Sequence, residues 1–228
     1  MGDGKKMIKI IYEDNHLLVV EKPINIPVQA DESNDMDFLN LLKEYIRKQY
    51  AKPGNVYLGL VHRLDRPVGG IMVFAKTSKA ASRLSKQIRT HRMEKGYLAV
   101  MIGELFPANG KLVDKLIKDT KKNIVVVSDE GKEAILNYQV IDTIDNLSLV
   151  EIDLITGHSH QIRVQFASRN HPLYGDQKYN KGATVGEQIA LFANRLSLYH
   201  PITREKMEFK LDIPKRKPWN RFIKQSDI

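Results

Sequence analysis

His62-Arg63-Leu64-Asp65-Arg66-Pro67-Val68-Gly69-Gly70-Ile71-Met72-Val73-Phe74 is a charged turn that feeds directly into a short apolar run. The run Ile71–Phe74 reads as a strand, and a loop tied to a strand is held on a rigid element, as a site of fixed geometry requires. The one carboxylate of the turn, Asp65, stands between Arg63 and Arg66. Two neighbouring cations favour the ionised acid, provided their side chains reach it. An ionised aspartate of this kind can act as a nucleophile or a base, and it can equally be a plain surface ion pair.

Outward from this stretch, strand patterns outnumber helical ones. Ile8–Tyr12, Leu17–Glu21, Val56–Val61, Ile71–Ala75, Tyr97–Ile102, Leu147–Ile155, Leu191–Tyr199 and Lys206–Leu211 read as strands, with a turn signal at Asp14-Asn15. Apolar residues at Phe38, Leu41, Leu42, Tyr45 and Ile46 predict a helix over 38–50, ended by Pro53-Gly54. Ala81, Leu84 and Ile88 predict a second over 78–92, and Gly157–Ser168 reads as a turn running into a helix. Between Gly110 and Val140 the pattern is poor, and Lys111, Lys115, Lys118, Lys121 and Lys122 crowd a segment broken by turn signals. Consecutive strands are often too close for helical crossovers. The expected fold is therefore α+β, with a mixed, largely antiparallel sheet flanked by a few helices. No linker stands out, so one domain is expected over 1–228, with a core of about 8–214 and a basic tail at 215–228.

With 228 residues and 42% hydrophobic content the chain can bury one sizeable core. Its net charge of +9 points to a polyanionic partner, most simply nucleic acid. The absence of cysteine excludes disulfides, thiolate zinc sites and iron–sulfur clusters. No run approaches the ~18 apolar residues of a membrane span. The N-terminal Met1-Gly2-Asp3-Gly4-Lys5-Lys6 lacks the apolar core of a signal peptide and places lysine where myristoylation requires Ser or Thr. A soluble cytoplasmic protein is expected.

Two further constellations carry chemistry. Lys95-Gly96-Tyr97-Leu98-Ala99-Val100 sets a tyrosine at the start of a strand, where it can stack a base, move a proton, or simply fill a core. Thr156-Gly157-His158-Ser159-His160-Gln161-Ile162-Arg163-Val164-Gln165-Phe166 follows, and then His171-Pro172-Leu173-Tyr174-Gly175-Asp176-Gln177-Lys178-Tyr179. His158-x-His160 is at most half of a metal site, so no metal is expected. No Walker A, GxGxxG or GxSxG motif occurs, so no nucleotide cofactor is expected either.

Taken in order, these segments resemble the RluA-type RNA pseudouridine synthases. His62-Arg63-Leu64-Asp65-Arg66 matches their aspartate motif and Lys95-x-Tyr97-Leu98-Ala99-Val100 their tyrosine motif. The segments from Thr156 to Val164 and from His171 to Tyr179 match the third, and Leu191-x-Ala193 with His200-Pro201 resembles the closing strands. The resemblance runs from about Ile8 to Pro214. Two departures stand out: Val68-Gly69 replaces a pair such as Thr-Ser, and His158-Ser159 replaces Arg-Thr, removing one possible phosphate contact.

The resemblance implies an isomerase that breaks the glycosidic bond of a uridine in ribosomal or transfer RNA, turns the base and rejoins it through C5, without cofactor or metal. It implies Asp65 as nucleophile, Tyr97 as stacking platform and proton acceptor, and Arg163 as the cationic partner of Asp65. Arg63, His160 and Gln161 are implied to contact substrate, with Arg63 filling the gap left by a flipped base. Many relatives carry an S4-type RNA-binding module that does not fit before Ile8, so RNA capture is expected of the basic faces: Arg83, Lys86, Arg89 and Arg92, the lysines of 111–122, and a tail that either tracks phosphates or is disordered. A monomer is expected. The alternatives are an RNA-binding protein or RNA chaperone that keeps the fold without catalysis, and a glycosidic hydrolase, which needs a second carboxylate not seen in the motifs.

Overall fold

The computed structural model describes residues 8–31 and 35–223; the N-terminal stretch read above and residues 224–228 of the tail lie outside them. The chain forms two compact units, Met1–Met93 with Leu196–Phe209, and Glu94–Arg195 with Lys210–Ile228. It passes between them at 93/94, 195/196 and 209/210, so no single linker divides them. No helix among the described residues is long and apolar enough to cross a membrane.

The first unit contains β1 (Lys9–Glu13), β2 (Leu17–Lys22), α1 (Phe38–Gln49), β3 (Gly59–Leu60), β4 (Gly69–Ala75) and α2 (Ser78–Arg89). β1, β2 and β4 lie side by side and antiparallel, with β3 also on β4. Asp14 fixes the β1–β2 turn by accepting the backbone N–H groups of His16 and Leu17 at 2.7 and 2.6 Å. Leu17–Val20 and Ile71–Ala75 are buried on both faces, which is why they read as unbroken apolar runs. Asp37 caps α1 through the N–H of Asn40, Thr77 caps α2 through that of Ala80, and Phe38 packs edge-on against Phe74. α2 stops short of Arg92 because His91 takes a left-handed φ of 51°. Arg83 then donates to the Pro201 carbonyl and the Arg92 guanidinium lies over the Tyr199 ring, so two of the four cations expected to track phosphates hold the fold. β3 is shorter than the expected strand over 56–61. Val56 and Leu58 are buried, but only Gly59 and Leu60 join a ladder.

The second unit holds β5 (Glu94–Ile102), β6 (Asn109–Asp119), β7 (Ile124–Val127), β8 (Lys132–Ile144), β9 (Leu147–Leu154) and α3 (Gln161–Ala167). The order β5-β9-β8-β6-β7 is antiparallel throughout. β10 (Leu191–Tyr199) gives its first five residues to this unit and its last four to the other, and β11 (Lys206–Lys210) pairs with it. The α+β class with a mostly antiparallel sheet is as expected. Three strands fill the stretch between Gly110 and Val140 that showed no clear pattern. Leu112 and Leu116 point inward with Asp114 between them, and Asp114 is satisfied by Gln165 and Arg169, while Val113 and Ile117 face out. A charge on the inner face and apolar residues on the outer one hide the alternation. The tail is not disordered at its centre: a 3-10 turn, Trp219–Phe222, buries Trp219 completely among Val100, Leu149 and Phe192.

Candidate active site

The Asp65 turn is built around a buried cation. Lys22, at the end of β2, is 1% exposed, and its ammonium donates to the carbonyls of Pro23, Arg66 and Val68 at 2.9, 3.1 and 2.8 Å. The Asn25 N–H also donates to Arg66 O, the Val68 N–H closes the turn on Asp65 O, and the Val73 N–H donates to His62 Nε2. Leu64 and Val68 anchor the turn in the core, leaving Asp65 half-buried between them. Gly69 belongs to this fit: a β-carbon there would stand 3.1 Å from Ile24 Cγ2 and 3.2 Å from Lys22 O.

The flanking arginines divide. Arg66 turns its guanidinium to Asp31 and Asp35. Arg63 is exposed and, among the described residues, makes no hydrogen bond or ion pair.

The other expected site residues belong to the second unit. Tyr97 lies on β5 opposite Ile152 of β9 and is 7% exposed. Arg163, on α3, is buried and gripped at both ends by Asp176: Nε donates to Oδ2 at 2.8 Å and Nη2 to Oδ1 at 2.7 Å. Asp176 is itself held by the N–H groups of Lys178 and Tyr179 at 3.1 and 3.3 Å. This fork fixes the plane of the guanidinium, and Tyr179 packs its ring 5.1 Å from the guanidinium carbon. The Tyr179 hydroxyl accepts the Val125 N–H and bonds His160 Nδ1 at 2.7 Å. His160 reaches this position from a left-handed φ of 52°.

Gln161 is buried with all four bonds of its amide made inside the protein. Its oxygen accepts from Thr156 Oγ1 and the His158 N–H, and its nitrogen donates to Ile135 O and Gln165 Oε1. These bonds make Gln161 a clamp of the Gly157 turn on β8. His158, one of the departures noted above, donates from Nε2 to Glu133 O at 2.8 Å and pins the same turn.

Beside Tyr97 on β5, Lys95 is half-buried, and burial pushes its ammonium below the ordinary lysine value. Its Nζ rests against Gly157, where a β-carbon would stand 2.8 Å away. Among the described residues no group of three or more His, Cys, Asp or Glu side chains is placed to hold a metal. Sequence reasoning passed over Lys22, Lys95 and Asp176. The Lys22-Pro23 pair, the Lys95-x-Tyr97 spacing and the Gly175-Asp176 pair were the available signals.

The first unit thus holds a carboxylate on a braced turn, and the second holds a phenol on a strand and a guanidinium locked by a buried acid. The chain is similar to known proteins. A family model described as RNA pseudouridylate synthase matches residues 16–168. Ribosomal large subunit pseudouridine synthase D of Yersinia pestis is 34% identical over 223 residues, covering 91% of this chain and 67% of that protein. The uncharacterized RNA pseudouridine synthase YhcT of Bacillus subtilis is 35% identical over 205 residues, 87% and 66% of the two chains. The chain thus spans about two thirds of the length of these relatives. In fold it is similar to human RNA pseudouridylate synthase domain containing 4, with a TM-score of 0.77 at 23% identity over 91% of this chain and 89% of that one. With a single family description running from β2 through the Asp65 turn and Tyr97 to the end of α3, the chain belongs to the RNA pseudouridylate synthase family.

Proposed function

We propose that this protein isomerises uridine to pseudouridine in RNA, with ribosomal RNA as the substrate class, and that it does so as a cytoplasmic monomer without cofactor or metal. The observation that carries this reading is the family match over 16–168, which spans Asp65, Tyr97 and Arg163 together. Relatives named for the large ribosomal subunit at about a third identity favour ribosomal over transfer RNA.

In this reading Asp65 is the nucleophile. Its carboxylate bonds to the sugar or the base, the C1′–N1 bond breaks, the uracil turns, C5 bonds to C1′, and the bond to Asp65 breaks to return the free carboxylate. The C5 hydrogen leaves as a proton and N1 gains one, so the product has the composition of the substrate. Tyr97 stacks on the uracil and accepts the C5 proton. Arg163, fixed by Asp176, supplies positive charge at the reacting centre. The target nucleotide must leave its stack at a cost of a few kcal/mol. The exposed guanidinium of Arg63, without an ion-pair partner among the described residues, suits the gap left behind. His160 contacts the substrate from its bond to Tyr179, and Gln161 acts by holding the turn.

The test is release of tritium from ribosomal and transfer RNA transcripts labelled at uridine C5. Wild type should release it and Asp65→Asn should not, while RNA binding persists. Tight binding with no release from any transcript would return the protein to the non-catalytic RNA binders. Free uracil among the products would make it a hydrolase.

A further inference from the structure

Lys95 and Tyr97 are two residues apart on β5 and therefore share one face of the sheet, about 7 Å apart along the strand. Gly96, between them, faces the other way and lies against the Arg195 side chain. The carboxylates nearest in register belong to that opposite face: Asp153 pairs with Gly96 across the β5–β9 ladder, and both Asp153 and Glu94 are turned to Arg195. Lys95 is left with no hydrogen bond or ion pair among the described residues, although it is half-buried. The glycine at 157 leaves its ammonium the room it occupies.

A cation taken out of water without a counter-charge weakens the fold. Its retention beside a proposed stacking tyrosine calls for an anion that arrives with the substrate. The anions of RNA are its phosphodiesters. We infer that Lys95 binds a phosphodiester oxygen of the RNA at the nucleotide stacked on Tyr97. The inference rests on the function proposed above, and it gives the strand two roles, with the base on the phenol and the backbone on the ammonium. The depressed proton affinity of the free ammonium fits a group whose charge is completed by its ligand.

The test uses the full chain as wild type, Lys95→Met and Lys95→Arg, with the responding transcript from the tritium assay. At about 0.1 M salt Lys95→Met should weaken binding and raise KM about tenfold, the worth of one charged hydrogen bond, with kcat within about twofold. The slope of log affinity against log salt should become shallower by about 0.7 for a single-stranded site or about 0.9 for a duplex, and Lys95→Arg should restore it. Lys95→Met should unfold in urea at the wild-type midpoint or above it. An unchanged salt slope overturns the inference, as does a lowered midpoint, which would give the ammonium to the fold. A fall in kcat at constant KM overturns it too, assigning Lys95 to proton transfer. If wild type turns over no transcript, the salt slope is read on the transcript it binds most tightly, and a slope still flattened by Lys95→Met means that the isomerase reading fails and the phosphate contact stands.

Discussion

Replacing Lys22 by methionine keeps the length and bulk of the side chain and removes only its charge and donors. Three carbonyls lose the ammonium, those of Pro23, Arg66 and Val68. Arg66 O retains the Asn25 N–H, so two are left without that donor in a closed environment. At about 1–3 kcal/mol for each unsatisfied buried group, the loss is about 2–6 kcal/mol. Relief from no longer burying a charge offsets part of it, which leaves about 3 kcal/mol. For a chain of this size that corresponds to a melting temperature lower by about 6–12 °C. Two of the three carbonyls belong to the turn that carries Asp65, so the carboxylate should drift as the turn relaxes. A misplacement of about 1 Å costs on the order of a hundredfold in rate. Lys22→Met should therefore lower single-turnover tritium release about a hundredfold with KM within about threefold. The assay pairs thermal melting with single-turnover kinetics under conditions where the variant is folded. A variant that melts at the wild-type temperature refutes the energetic argument. One that melts lower yet reacts at the wild-type rate shows that Lys22 supports the fold without positioning Asp65.

Tyr97→Phe should keep RNA affinity and lower kcat by about a hundredfold or more, as expected when a proton acceptor is lost; unchanged turnover would reduce Tyr97 to a stacking platform. Asp176→Asn removes the buried carboxylate that forks the Arg163 guanidinium and should destabilise the protein by about 3–5 kcal/mol and slow the reaction, read by urea titration and tritium release; wild-type stability would mean that other contacts suffice to hold Arg163. Acid should weaken the first unit. Burial raises the Glu13 carboxyl, but hydrogen bonds from Lys76, Tyr50 and Tyr45 outweigh it, and Asp14 is likewise lowered by the N–H groups of His16 and Leu17 with Tyr12 and His200. Both carboxyls end below their ordinary values of 4.5 and 3.8, so their stabilisation is complete above those values and is lost as pH falls through the lower, folded ones. The urea midpoint should hold from neutral pH to about pH 5 and fall below about pH 4. Asp14→Asn should flatten that fall, and an unaltered slope in the variant would contradict the assignment.

Local signals in the sequence identified α1 and α2 well, because each carries an apolar stripe at helical spacing, and the structure adds the caps Asp37 and Thr77 in front of them. β10 was legible to the residue, since Leu191–Tyr199 is mostly apolar and stops at His200-Pro201. The stretch from Gly110 to Val140 was not, because Asp114 sits on an inner face and finds its partners, Gln165 and Arg169, about fifty positions away. The same limit applies in the candidate site. The residues bearing reactive groups stood out as motifs, whereas what holds them did not. That Arg66 would turn to Asp31 and Asp35, that Lys22 would brace the Asp65 turn, or that Gln161 would be saturated internally depends on contacts made only when distant segments meet. Trp219 was placed in a tail by its lysine and arginine neighbours, although its indole completes a core cluster.

That indole is the only tryptophan in the chain, and it lies in the second unit. Its intrinsic fluorescence is therefore a built-in reporter of one unit alone, with no label to attach. Far-ultraviolet circular dichroism, by contrast, averages over the helices and strands of both. Denaturation curves recorded by the two signals will superimpose if the units melt as one cooperative body and separate if they melt in turn. A C-terminal deletion that reaches Trp219 would silence the reporter and open a cavity in the same stroke, so affinity tags and truncations are better placed with that residue kept.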